Sequence, residues 1–130
     1  MRQIEFIPDS CFAHSLPDRP STEWEPLVDH LTKVAESAAE FASWFGAKEW
    51  GEALGLCHDL GKLSQEFQSY LRIPGPLSVD AGVEEEQTAS TRVDHSTFGA
   101  RFVAHSVSGL QGHLLAFCIA GHHTGLPDES

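Results

Sequence analysis

His58 and Asp59 stand side by side at the end of an apolar run, GEALGLCHD, and His122 and His123 stand side by side at the end of another, LLAFCIAGHH. Imidazole and carboxylate groups are good ligands for divalent transition ions. Neighbours on a helix point about 100° apart, so an adjacent pair cannot close on one ion as an i, i+4 pair does, but it can serve two neighbouring ions. Asp59 has the chemistry of a bridge between them, because one carboxylate can hold two cations roughly 3.5–4 Å apart. Each pair also has a plainer reading. His58 with Asp59 could be a helix-end charge pair, and His122 with His123 a solvent-facing cap, since cations are favoured at helix C-termini. Finding both pairs in one strongly acidic chain favours the metal reading. His30 falls at helical spacing between Leu27 and Val34 and faces the interior, where a lone histidine is ordinarily a hydrogen-bonded core residue. His14, His105 and His113 are single residues without a partner motif.

The charge balance bears on the substrate. Eight basic residues against nineteen acidic ones give 8 − 19 = −11, which argues against holding nucleic acid on a broad cationic surface. A phosphate would have to be bound locally, and divalent cations would supply the positive charge. Three cysteines, Cys11, Cys57 and Cys118, are widely separated and lack CxxC spacing, so neither a disulfide framework nor a thiolate zinc site is indicated. The longest apolar run, LLAFCIA, is far below the roughly 18–20 residues that span a bilayer. The N-terminus lacks a secretory h-region. A soluble, cytoplasmic protein without a membrane partner is expected.

The elements that must carry these side chains are helical. The segment STEWEPLVDHLTKVAESAAEFASWFG places Leu27, Leu31, Val34, Ala38, Phe41 and Phe45 at spacings of three and four, which predicts an amphipathic helix. It should begin near Ser21 to Pro26, with Ser21 or Thr22 as N-cap, and end at Gly46. A second helix is expected from about Ala47 to Asp59 and a third from about Lys62 to Arg72. Residues 73–93 combine Pro, Gly and the run Glu84, Glu85, Glu86 without helical or strand period, which predicts a long, mobile surface loop. Helical pattern returns in DHSTFGARFVAHSV, with Asp94 or Ser96 as N-cap, and in LQGHLLAFCIAGHH. The expected class is all-α, as one domain over residues 1–130.

The strings CFAHSLPDRPSTEWEPLVDHL, LGLCHDLGKLSQEFQSYL, DHSTFGA and IAGHHTGLPD, in this order and spacing, resemble the HD nuclease domain of the CRISPR-associated helicase-nuclease of type I systems, within the HD phosphohydrolase superfamily. The resemblance implies an HD-like helical bundle. It also implies metal ligands at His30, His58, Asp59, His95, His122 and His123, with Asp59 catalytic and Lys62 contacting the phosphate or the bridging carboxylate as a catalytic and substrate-binding group. Metal-dependent cleavage of single-stranded DNA is the implied activity. A helicase, in the same or a separate chain, and a guide-RNA surveillance complex are the implied partners. Imidazole-rich ligation favours two ions of manganese, iron, cobalt or nickel over magnesium. The family supplies one more metal-binding Asp from a helix downstream of GHHTGLPD, so these residues are expected to form the N-terminal portion of the nuclease domain and to hold metal incompletely. Two other readings use the same residues: an HD phosphohydrolase acting on nucleotides or cyclic nucleotides, and a non-catalytic, metal-stabilised docking module.

Overall fold

Leucine and alanine recur down one side of the first long helix, and they decide what it can pack against. In the computed structural model, which describes residues 7–73 and 94–123, this helix is α1, Leu27–Ser43. Its buried stripe is Leu27, Leu31, Ala35, Ala39 and Ala42. Past Leu31 that stripe departs from the expected one: Phe41 and Phe45 are 74% and 76% exposed. The cause is the next helix, α2, Lys48–Cys57. A Cβ at Gly51 would overlap the Ala38 carbonyl, and one at Gly55 would overlap the Ala35 backbone. Glycine facing alanine lets the two backbones approach closely, and large aromatic side chains are left outside the seam. The chain turns between these helices at Gly46, whose φ of +74° favours glycine because no Cβ penalty arises.

The helix also starts later than its sequence suggests. Ser21–Glu23 form a separate 3-10 turn, and neither Ser21 nor Thr22 caps α1. Two short strands, β1 Phe12–His14 and β2 Glu25–Pro26, pair antiparallel with Phe12 opposite Pro26 and His14 opposite Glu25. This ladder is too short for an alternating pattern to announce it. The described chain is otherwise helical, and the fold class is all-α as expected.

The described residues fall into two compact units, one drawn from Met1–His30 with Lys62–Asp94 and the other from Leu31–Gly61 with His95–Ser130. In the first, β1 is held by α3, Gln65–Leu71. Ser64 caps α3 by accepting from Phe67 N, so the expected helix from Lys62 divides into a 3-10 turn over Leu60–Leu63 and a new helix after it. The Gln68 amide takes the place of a neighbouring strand. Its Oε1 accepts from Phe12 N at 3.0 Å, and its Nε2 donates to Phe12 O at 2.9 Å and to Lys62 O at 2.7 Å.

In the second unit, α4 (Ser96–Ser106) and α5 (Gly109–Ala120) form a helical hairpin. Ala100, Val103, Leu115 and Ile119 make its core, with Leu54 and Cys57 of α2 packed against them. Fully burying a Leu or Ile side chain is worth about 1.5–3 kcal/mol, so this cluster fixes where α2 and α5 end. Those two ends carry the adjacent residue pairs. Residues 74–93, which hold nearly all of the expected loop, lie outside the described residues.

Candidate metal centre

The last turn of a helix leaves carbonyl oxygens without partners, and the second unit uses two of them to aim histidines. His58 caps α2, and its Nδ1 donates to Gly55 O, three residues back, at 2.7 Å. His122 follows α5, and its Nδ1 donates to Ile119 O, again three residues back, at 2.6 Å. A carbonyl only accepts, so both Nδ1 atoms carry a proton and both rings present Nε2 outward. His95 holds the N-cap position of α4 but makes no side-chain cap there. Its ring turns inward instead and is nearly buried. Gly61 makes that possible, since a Cβ at Gly61 would overlap the His95 backbone.

All of these rings converge on Asp59, which is 2% exposed. Oδ1 lies 3.1 Å from His122 Nε2, 3.4 Å from His95 Nε2 and 4.0 Å from His123 Nε2. Oδ2 lies 3.2 Å from His58 Nε2. His95 Nε2 and His123 Nε2 face each other at 2.6 Å. One donor atom from each of Asp59, His95, His122 and His123 can be chosen so that all lie within 4.8 Å of one another.

A cation fits this arrangement on its donor chemistry. With Nδ1 protonated, the Nε2 atoms of neutral His58 and His122 are lone pairs aimed at a carboxylate, which is electron-rich against electron-rich. Two ring nitrogens 2.6 Å apart can share at most one proton between them. A buried carboxylate also needs a compensating charge, because the desolvation of an unpaired one is costly. Protons on the rings or a metal ion among them would resolve all of these conflicts, and the nitrogen-rich donor set with one carboxylate suits divalent transition ions.

The remaining expected residues lie in the first unit. His30, in the first turn of α1, has Nδ1 3.3 Å from Glu25 Oε2, and its side chain is 16% exposed. His14, which has no partner motif in the sequence, has Nδ1 2.8 Å from the same oxygen. Glu25 carried no sequence signal of its own. Its link to His14 is a cross-strand pairing, visible only once the register is known. Lys62 is 1% exposed, with Nζ donating to Ala13 O at 3.1 Å and lying 5.3 Å from the Phe67 ring centroid. In this arrangement Lys62 anchors β1. His105 and His113 are exposed, and His113 Nδ1 donates to Gly109 O at 2.9 Å.

Helices ending in His-Asp and His-His pairs around one buried carboxylate define a metal-binding helical domain of the HD hydrolase class. Residues 15–130 match the family described as Cas3, HD domain, and the chain belongs to that family. The membership makes it a domain of the metal-dependent HD nuclease and phosphohydrolase type. No curated protein matches the chain. Among the described residues, no helix is long and apolar enough to cross a membrane.

Proposed function

We propose that this domain cleaves single-stranded DNA by metal-dependent phosphodiester hydrolysis in CRISPR interference, with Asp59 as its central catalytic residue. The observation that carries the reading is the convergence of four imidazole Nε2 atoms on the two oxygens of Asp59. In the proposal, His58, Asp59, His95, His122 and His123 hold two ions of manganese, iron, cobalt or nickel. The division of the carboxylate, Oδ2 toward His58 and Oδ1 toward the other three, supports a bridging role. A ligand role for His30 and a role for Lys62 in the reaction rest on the family resemblance.

Divalent ions bound there supply Lewis-acid polarisation of a phosphate and an acidified water as nucleophile. The protein's own contribution is orientation. Gly55 O and Ile119 O hold two rings in the tautomer that offers Nε2, and burial keeps the Asp59 carboxylate from solvation that would weaken its hold on a cation. No protein nucleophile is needed. The formal charge of −11 supports delivery of the strand by a helicase and a guide-RNA surveillance complex rather than by this domain's own surface.

The test is elemental analysis of the purified chain together with an assay on circular single-stranded DNA, with and without manganese. Metal-dependent linearisation that Asp59→Ala abolishes is expected. Hydrolysis of mononucleotides or cyclic nucleotides in preference to the circle would overturn the DNA assignment, and bound metal without cleavage of any phosphodiester would indicate a docking module.

A further inference from the structure

His58 and His122 each direct Nδ1 to a helix-end carbonyl three residues back and so present Nε2. His30 is not placed for that device. It lies in the first turn of α1, where the carbonyl three residues back, that of Leu27, belongs to the helix ladder rather than to an open end. An acceptor for its Nδ1 has to come from outside the helix, and Glu25 of β2, just ahead of α1, supplies one: Oε2 lies 3.3 Å from His30 Nδ1. The same oxygen accepts from His14 Nδ1 at 2.8 Å, and the β1–β2 register sets His14 opposite Glu25. Strand pairing and the His14 bond together fix the carboxylate that His30 faces. All three residues belong to the first unit.

We infer that Glu25 is a positioning residue for His30: its carboxylate holds the ring as the Nδ1–H tautomer and so keeps the Nε2 lone pair for the metal centre. The inference rests on the ligand role that the proposed function gives His30, and it adds no ion and no ligand to that centre. An ionised carboxylate oxygen only accepts, so a ring nitrogen at hydrogen-bond distance from it is the one that carries the proton. A neutral imidazole has a single N–H, and fixing it at Nδ1 leaves Nε2 as the free donor of an electron pair. A carboxylate also does more than the carbonyls that hold His58 and His122. Charge-assisted hydrogen bonds are roughly twice as strong as neutral ones, and a carboxylate behind a histidine raises the basicity of the opposite nitrogen. The His30 side chain is only 16% exposed, so little water competes with Glu25 for Nδ1. His14 acts one step further back, by restraining the oxygen that does the holding.

Long-range nitrogen–proton correlation spectra of the metal-free chain at pH 8, with the His30 signals identified through His30→Ala, read the tautomer directly. We expect His30 to carry its proton on Nδ1 in the parent chain and to lose that preference in Glu25→Ala. Isothermal titration with manganese should then show Glu25→Ala binding about 10–100-fold more weakly, and His30→Ala at least as weakly. A residue that merely held the strand ladder would not move the tautomer. An Nε2–H ring in the parent, or a tautomer unchanged in Glu25→Ala, overturns the inference and leaves the metal centre standing. So does weaker binding in His30→Ala without any loss in Glu25→Ala. Unchanged binding in His30→Ala removes the ligand role itself, and the inference falls with that reading. Should circular dichroism show that Glu25→Ala does not fold, the isosteric Glu25→Gln replaces it. Binding about tenfold weaker is expected there, and unchanged binding rejects the positioning role.

Discussion

Only 2% of the Asp59 surface is open to water, so the ionised carboxylate there needs neighbours that compensate its charge. Asp59→Asn keeps the shape and removes the charge. We expect it to lose metal-dependent cleavage and to bind manganese at least 100-fold more weakly, whereas His105→Ala and His113→Ala, both on exposed positions, leave metal content unchanged and shift stability by no more than about 0.5 kcal/mol. Isothermal titration with manganese on the three variants measures this, and equal losses in all three would contradict the assignment. The thiols follow burial in the same way. Burial pushes the Cys11 thiol up, partly offset by the Arg72 guanidinium, and burial alone pushes Cys57 up. Cys118 is exposed. Since the thiolate is the nucleophile, iodoacetamide at pH 8 should label Cys118 first, as peptide mass mapping would show. In the folded chain the other two keep their protons above the ordinary thiol value of 9.0, so their stabilising contribution is fully present below that pH and is lost as pH rises further.

At the level of elements, the adjacent His-Asp and His-His pairs were legible in the sequence because a run of apolar residues ending in paired ligands needs no tertiary knowledge to be seen. What escaped was geometry that depends on a partner. The spacing predicts a stripe of α1 through Leu27, Leu31, Val34, Ala38, Phe41 and Phe45, whereas the packed one keeps Leu27 and Leu31 and continues through Ala35, Ala39 and Ala42, set by the glycines of α2. Gly51 and Gly55, four apart in KEWGEALGLC, were the available signal. We expect Gly55→Val to cost about 3 kcal/mol or more, because its Cβ meets backbone rather than a yielding side chain. Gly46→Ala meets nothing within 4 Å and pays only for φ of +74°, about 1–2 kcal/mol. Thermal unfolding of the metal-free variants checks the order, and a larger loss at Gly46 would refute the close seam. Gln68 shows the same limit of sequence reading, since a glutamine 56 residues from Phe12 gives no hint that its amide completes a strand edge. Gln68→Ala leaves Phe12 N and O without these partners and should cost about 1–3 kcal/mol.

For the whole molecule, charge is the property that composition alone determines, and it sets what the domain can do with DNA unaided. Two bound divalent ions would change the formal balance from −11 to −11 + 4 = −7, still far from the cationic surface that holds nucleic acid by releasing counterions. Contact with a strand should therefore be local and dominated by the metal centre. We expect fluorescence anisotropy at physiological salt to detect no binding of a single-stranded oligonucleotide by the metal-free chain. In the presence of manganese, binding should appear with a shallow dependence on salt, a slope of log K against log salt of magnitude about 2 or less, because few phosphates are neutralised by Lys or Arg. Chelation should reverse it fully. Tight binding without metal, falling steeply with salt, would show instead that some of the eight basic residues form a continuous track for the strand, and the need for a helicase to deliver the substrate would then lose its physical basis.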